Sequence, residues 1–294
     1  MNGVIVVDKP QEFTSFDVVA VMRGILHTKK VGHSGTLDPM ATGILPIFTG
    51  SATKAISLLP DSNKSYRAGF RLGQTSDTLD IWGNCTEPRN VNISTEMMLR
   101  TLERFTGDIE QIPPMYSALK VNGQKLCDLA RKGIEVERKP RPVTISRLEL
   151  MDFRGGAEGI IDIDCSSGTY IRTLIDDIGA ALGTGAVMTS LRRTRACGFT
   201  DGYTLEQLKA MPPEELQGLI KPIDEVFSEY PEVHLDERQK TLYLNGVRLD
   251  VNRLGNAPAD GQLCRVYAGE FLGIAKISAD ELVSVKRFTI NNGE

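Results

Sequence analysis

Residues 32–43 read Gly-His-Ser-Gly-Thr-Leu-Asp-Pro-Met-Ala-Thr-Gly. They place one carboxylate, Asp38, and one imidazole, His33, in a glycine-rich stretch that holds no other charged residue. A phosphate-binding loop requires Gly-x-x-x-x-Gly-Lys-Ser/Thr. Here the glycine register differs, and no lysine follows Gly43. An isolated carboxylate on such a loop can serve as a nucleophile or a base. The glycines let the backbone approach a ligand closely, and Pro39 restricts the turn after the carboxylate. The plain alternative is an Asp-Pro pair that only shapes a turn.

A second candidate is Arg172, in "TYIRTLIDDIGAALG". It falls in the first turn of an expected helix, where a cation opposes the macrodipole at a cost of about 0.3–1 kcal/mol. That placement asks for an anionic partner. The local one is Asp176, one helical turn on. Tyr170 follows Ser-Ser-Gly, a loop position rather than a core one, whereas Tyr66 lies in an expected strand. Three dispersed histidines and five scattered cysteines with no Cys-x-x-Cys argue against a zinc site. They also fit a reducing cytosol better than a disulfide framework.

These residues need a scaffold, and the chain is long enough for one. Its 294 residues suggest two domains, and 41% hydrophobic with 24% charged residues fits an ordinary globular protein. No apolar run approaches the roughly 20 residues that span a bilayer. The start, "MNGVIVVDKP", has no basic segment or cleavage site, so no signal peptide is expected. A net charge of −4 does not favour a nucleic-acid partner, but local basic clusters can supply one positive face. The clusters are Lys29–Lys30, Arg131–Lys132, Arg138–Lys139–Arg141 and Arg192–Arg193–Arg195.

Strands are expected at "GVIVV", "ILPIF", "KSYRAGFRLG", "PVTISRLELMDF", "GIIDIDC" and "AVMTSLRRTRACGF". Helices are expected at "TSFDVVAVMRGILH", capped by Thr14 or Ser15, and at "SATKAISLL", capped by Ser51. Further helices are expected at "STEMMLRTLERFTG", closed by Gly107, in the Arg172 segment, and at "TLEQLKAM", with a Thr204–Gln207 capping box. Residues 108–142, with Pro113-Pro114, an Asn122-Gly123 hairpin signal and the short helix "KLCDLARKG", read as an inserted arm. Pro212-Pro213 and Pro222 to Pro231 loosen the chain. Beyond them "VRLDV", "LCRVYAGEFLGIAKI" and "ELVSVKRFTI" read as short strands. The fold class is α+β, with a main domain over 1–230 and a small β-rich domain over 231–294.

"GHSGTLDPMATGILPI" resembles the central motif of the TruB-type tRNA pseudouridine-55 synthases. "GVIVVDKPQEFTSFDVV", "KSYRAGFRLGQTSDTLD", "GDIEQIPPMYSALKVNGQKLCDLARKGIEVERKPRPV", "CSSGTYIRTLIDDIGAAL" and "LRRTRACGF" resemble further blocks of that family, in its order. The resemblance implies a mixed, largely antiparallel pseudouridine-synthase sheet flanked by helices, with an RNA-binding arm and a C-terminal RNA-binding module. It implies isomerisation of a uridine in the T-arm loop of tRNA, without metal, cofactor or partner protein, in the cytoplasm.

By the same resemblance Asp38 is the catalytic carboxylate and Arg172 is its partner. Tyr170 stacks on the uracil, and its hydroxyl is a candidate relay for the C5 proton. Tyr66 packs nearby, and Leu191 closes the uracil pocket. His33 inserts into the RNA loop, and Lys9 contacts a phosphate or buttresses the Asp38 loop. From their charge, Arg192, Arg193, Lys120 and Arg141 are candidates for the RNA backbone. Two rival readings are an RNA-folding protein without chemistry and a nucleoside hydrolase. The hydrolase would need a second carboxylate, for which Asp77 and Asp80 are the nearby candidates.

Overall fold

A computed structural model of the chain describes residues 2–60, 63–121, 123–255 and 257–288. The first elements are β1 (Gly3–Lys9), α1 (Ser15–Ile25), β2 (Val31–His33), β3 (Thr42–Thr49) and β4 (Lys64–Leu72). There follow α2 (Thr95–Glu103), β5 (Gly107–Gln111), β6 (Lys120–Val121), β7 (Gln124–Lys125) and α3 (Leu126–Ala130). The main sheet is completed by β8 (Arg141–Arg154), β9 (Glu158–Cys165) and, after α4 (Ile171–Ala181), β10 (Ala186–Arg195). Its order is β1-β3-β10-β4-β9-β8-β5, with β2 paired to β3. Every neighbouring pair is antiparallel except β3 with β10. This is the mixed, largely antiparallel α+β sheet expected.

The helices lie where the apolar periodicity puts them. α1 buries Val18, Val19 and Met22 against β1 and β3, and Thr14 and Asp17 close its capping box. α4 and α2 pack on β4, β9, β8 and β10 through Leu174, Ile175, Ile178, Met98 and Leu102. The segment after β3 is a 3-10 helix, Gly50–Leu58, without a side-chain cap. Ser51 does not cap it; its own amide donates to Asn2 at 2.8 Å. α2 ends at Glu103, and Gly107, expected as its stop, instead opens β5 at φ +95°. Residues 108–111 pair with β8, so the excursion from the sheet is the 112–140 segment between neighbouring strands. Its β6–β7 hairpin has Gly123 at φ +82°; Asn122 lies outside the described residues.

After α5 (Leu205–Ala210), the Pro212-Pro213 pair does not loosen the chain. Pro213 opens α6 (Pro213–Gly218), since a missing amide costs nothing in a helix's first turn. A second sheet, ordered β11-β13-β14-β15-β12, comprises β11 (Glu232–His234), β12 (Leu249–Asp250), β13 (Leu263–Ala268), β14 (Glu270–Ser278) and β15 (Glu281–Arg287). Thr289 and Ile290, expected to extend β15, lie outside the described residues. This region also holds α7 (Glu237–Leu244), which the strand pattern did not announce, though Asp236 and Gln239 form its capping box. Phe227, Ile274 and Phe288 join this sheet to Val4 and Phe48 of the main one.

β3 and β10 run close together beneath the Asp38 loop. Gly43 pairs with Arg193 there at φ +104°, and a Cβ on it would lie 2.2 Å from the Arg193 carbonyl oxygen. Neither backbone can give way without breaking the ladder. Gly43→Ala is therefore expected to lose roughly 2–3 kcal/mol of stability, the upper part of the range for a strained backbone position. Urea unfolding of the two proteins measures it, and an unchanged midpoint would mean the close approach is not enforced.

Candidate active site

The loop that carries Asp38 has little regular structure, so its backbone groups are satisfied one at a time. The Asp38 carbonyl accepts the Ala41 amide at 3.0 Å, closing a tight turn through Pro39. The Pro39 carbonyl accepts the Glu12 amide at 2.8 Å and the Lys9 ammonium at 3.4 Å. Ser15 Oγ accepts from the Leu37 amide at 2.8 Å and donates to its carbonyl at 3.3 Å. Leu37, Met40 and Ala41 plug into the main core. Asp38 thus rides on a loop fixed at both sides.

Arg172 is 5% exposed at the start of α4. Its Nε lies 2.9 Å from Asp38 Oδ2, and Nη1 lies 3.7 Å from Asp80 Oδ2. Nη1 also donates to the Thr78 carbonyl at 2.8 Å, and Nη2 to the Tyr116 carbonyl at 2.9 Å. The anion beside it is therefore Asp38, with Asp80 behind, rather than Asp176. Asp80 is itself oriented by the Thr78 hydroxyl at 2.8 Å and the Trp82 amide at 3.0 Å.

Asp38 opens on a cavity of about 330 Å³. Tyr66, Tyr170, Leu191 and Arg172 share its walls, together with Lys64, Thr36 and Ser117. Tyr170 stands at the N-cap of α4, and the Gln111 amide group grips its backbone through bonds of 3.0 and 3.3 Å. Tyr66 is buried on β4, with the Arg193 guanidinium beside its hydroxyl. Lys9 and His33 do not line the cavity. His33 ends β2, half-buried, and burial beside Arg193 lowers its pKa, so the imidazole is neutral near pH 7.

Burial raises the Asp38 pKa above the ordinary aspartate value, and Asp80 adds to the effect, while Arg172 and Lys9 oppose it. The Asp38 side chain nevertheless keeps 37% of its surface open to the cavity. Burial likewise raises the Tyr170 phenol. Lys9 is fully buried and donates to Pro10 at 2.8 Å and Phe13 at 2.6 Å as well as to Pro39. Desolvation brings it down to about 8. Its place is under the loop and not on a phosphate.

The basic candidates separate. Arg193, expected on the RNA backbone, is 0% exposed. It donates to the Ile44 carbonyl at 2.7 Å and to the Gly35 carbonyl with both terminal nitrogens at 3.2 Å. Strand alternation turns it inward with Leu191, so it holds the loop and cannot reach solvent. Arg192 faces out but forms a two-pronged pair with Asp8 at 3.0 and 2.7 Å. Lys120 and Arg141 are exposed on the arm and on β8. Asp77 accepts from Asn84 and shapes its own loop rather than joining Asp38. Sequence reasoning left Gln111 and Lys64 unassigned and considered Asp80 only as an acid for hydrolysis. Among the described residues no three His, Cys, Asp or Glu side chains gather as a metal site requires. No described helix is long and apolar enough to cross a membrane.

Comparison with known families decides what scaffold this is. Residues 23–171 match the TruB family pseudouridylate synthase N-terminal domain. Residues 172–228 match the tRNA pseudouridylate synthase B C-terminal domain, and 231–288 match the C-terminal domain of pseudouridine synthase II TruB. The chain belongs to the TruB family of pseudouridylate synthases. It is 42% identical over 298 residues to tRNA pseudouridine synthase B of Azoarcus sp. (strain BH72), covering 100% of this chain and 97% of that one. The same-named protein of Escherichia coli O1:K1 / APEC is 41% identical over 305 residues, covering 99% and 96%. Among solved structures, a Cbf5-Nop10-Gar1 complex aligns with a TM-score of 0.74 at 26% identity, over 98% of this chain and 84% of that one. An H/ACA RNP bound to a substrate RNA containing 2′-deoxyuridine shares the fold, with a TM-score of 0.75 at 24% identity over 99% and 86%.

In this TruB-family chain, Arg172 is the main group that opposes protonation of Asp38. Arg172→Gln should move the Asp38 pKa further up, so that the carboxylate is lost at a higher pH as the solution is acidified. A carboxyl-carbon NMR titration of both proteins reads the shift. An unmoved Asp38 resonance would show that the guanidinium does not govern its charge.

Proposed function

We propose that this chain converts a uridine in the T-arm loop of tRNA to pseudouridine, with Asp38 as the essential reacting group. The observation that carries the reading is one carboxylate on a cavity wall, aimed by the Arg172 fork and flanked by Tyr66 and Tyr170. The tRNA substrate is supported by the relatives, which are named tRNA pseudouridine synthase B. The reaction breaks N1–C1′, turns the base and joins C5 to C1′. C5 gives up a proton and N1 gains one, so atoms and electrons balance within the nucleotide and no cofactor is called for. The carboxylate either attacks C1′ or removes the C2′ proton, and both roles need it ionised.

The remaining residues follow from place. Tyr170 offers its ring to the extruded uracil, and Leu191 and Tyr66 close the pocket. The raised Tyr170 pKa keeps the phenol protonated near neutrality. It can move the C5 proton only by passing its own proton on at the same time. His33, neutral, fills the space left in the RNA loop. Lys9 buttresses the Asp38 turn. Lys120 and Arg141 lie on the outer surface, where they meet the phosphate backbone, whereas Arg192 stays on Asp8, and the C-terminal sheet adds a second RNA contact. The five cysteines form no disulfide with one another, which fits action in the cytoplasm. No partner protein is needed for the reaction.

The purified protein, incubated with an isolated T-arm stem-loop, should form one pseudouridine, located by mapping. Asp38→Asn should abolish this while RNA affinity stays within about tenfold, or ~1.4 kcal/mol. Turnover by the variant above a few per cent of wild type would remove Asp38 from the reaction, and binding without turnover by the wild type would leave an RNA-folding protein. Because Asp38 must be ionised and its pKa is raised, the wild-type rate should fall on acidification at a pH above that of an ordinary aspartate. A single-turnover pH profile with no such limb would contradict that role.

A further inference from the structure

The Tyr170 phenol can carry a proton off C5 only if another group takes the phenol's own. A residue of the inserted arm stands where it could do so. Ser117 lies between β5 and β6, shortly after Pro113-Pro114. It is 6% exposed and lines the cavity of about 330 Å³ together with Asp38 and Tyr170. Its backbone is fixed on both sides. The Ser117 amide donates to the Met115 carbonyl at 3.0 Å, and its carbonyl accepts the Cys127 amide of α3 at 3.1 Å. The preceding carbonyl, that of Tyr116, accepts Arg172 Nη2 at 2.9 Å. The guanidinium that aims Asp38 thus also holds this serine in place.

The hydroxyl is the unusual part. Ser117 Oγ is buried, yet it completes no hydrogen bond among the described residues. Most buried polar groups are paired, because an orphan destabilises the folded chain. A serine hydroxyl can both donate and accept, so one left over on a cavity wall can serve a proton in transit. Its neighbour there is the Tyr170 phenol. Burial raises the phenol's pKa, and Ser117 is the strongest influence that lowers it, ahead of Arg141 and Arg172. The two hydroxyls are therefore close, with no well-directed bond between them. Gln111 grips the Tyr170 backbone, and Arg172 holds the arm at Tyr116. Rotation of the two side chains can then align the oxygens without moving either backbone.

We propose that Ser117 is the positioning residue of a two-hydroxyl relay, its Oγ accepting the Tyr170 phenolic proton as the phenol takes the proton from C5. The inference rests on the uridine-isomerising reading above. Once C5 is joined to C1′, the C5–H bond breaks and an O–H bond forms on Tyr170. The C–H electron pair restores the C5=C6 double bond, and N1 takes a proton from solvent. The phenol's old O–H bond breaks as one forms on Ser117, and the serine's first proton leaves to a water molecule at the cavity mouth. The ring ends neutral, and nothing is oxidised or reduced. Concerted shifts leave no full charge on either oxygen, which a desolvated site would penalise. One half of the relay stands at the start of α4 and the other on the arm. It is complete only where Arg172 ties the arm to the site.

The orphan hydroxyl makes its removal a clean test. Ser117→Ala deletes a buried, unpaired polar group, so the full-length variant should unfold in urea at the same midpoint as wild type or a higher one. Its affinity for the T-arm stem-loop should be unchanged. Its single-turnover rate should fall roughly 10- to 100-fold, up to the lower bound for a group that moves a substrate proton itself. Ser117→Thr keeps the hydroxyl and should recover most of that rate. A stem-loop carrying deuterium at C5 of the target uridine gives a readout that a structural role would not move. Loss of the C5 proton becomes slow in the alanine variant, so deuterium should slow it more than it slows wild type. In Tyr170→Phe protein, which has no phenol, adding Ser117→Ala should cost nothing further. An alanine variant that is as fast as wild type, that is less stable, or that is slowed without the larger deuterium effect would overturn the relay. Wild-type turnover keeps the two readings apart. Turnover that Ser117→Ala leaves untouched removes the relay alone, whereas no pseudouridine from the wild type removes the reaction.

Discussion

One buried guanidinium gathers this site. Arg172 meets Asp38 from the glycine-rich loop, Asp80 and the Thr78 carbonyl from the loop after β4, and the Tyr116 carbonyl from the inserted arm. These three segments are far apart in sequence and have little regular structure to bind them to one another. A planar fork with donors in several directions can join them; a lysine, a single point charge on a flexible stem, could not. The charge sits in the first turn of α4, against the helix dipole, and two carboxylates offset that penalty. Without the cation Asp38 would be a buried carboxylate beside a second one. Both effects favour its neutral form.

Two further interior cations, Lys9 and Arg193, solve a backbone problem. The chain from 34 to 41 approaches other strands closely but forms no ladder of its own there, and its carbonyls face the interior. Arg193 satisfies Gly35 and Ile44, and Lys9 satisfies Pro10, Phe13 and Pro39. A hydrogen bond from a charged donor is stronger than a neutral one, about 1.5–3 kcal/mol net. A few such bonds can therefore replace missing secondary structure. Their charge also bears on chemistry, since Lys9 helps to hold the Asp38 carboxyl down and Arg193 helps to keep His33 neutral.

What could be read in the sequence was whatever repeats. The 3.6-residue periodicity located α1 and α4, and the strand runs located β1, β3, β4 and β9. The motif spacing singled out Asp38, and the family resemblance named Arg172, Tyr66, Tyr170 and Leu191 around it. What escaped were interactions with no local pattern. Arg193 looked like surface because it stands in a basic run. Yet in a strand its side chain must share a face with Leu191, not with Arg192, and that alternation was the available signal. Pro212-Pro213 looked like a break because proline ends helices, although it can also begin them. Asp80 and Gln111 matter through contacts with residues about 92 and 59 positions away, which no window of sequence reveals.

The net charge then takes a different meaning. The chain carries 34 lysines and arginines against 38 acids, and Lys9, Arg172 and Arg193 lie inside. Arg192 is spent on Asp8, and Arg67, Arg71 and Arg147 on strand carboxylates. Those pairs cancel charge of both signs, and the three interior cations set against the buried Asp80 leave the surface only slightly more acidic than the composition suggests. Counterion release then rests on local basic groups such as the exposed Lys120 and Arg141, not on net charge. On the reading proposed above, part of the affinity comes from a contact that salt does not screen: a base taken out of the stack and laid against Tyr170 in the cavity beside the carboxylate. Recognition and chemistry then draw on the same contacts, and an RNA whose loop cannot open is rejected before Asp38 meets its ribose.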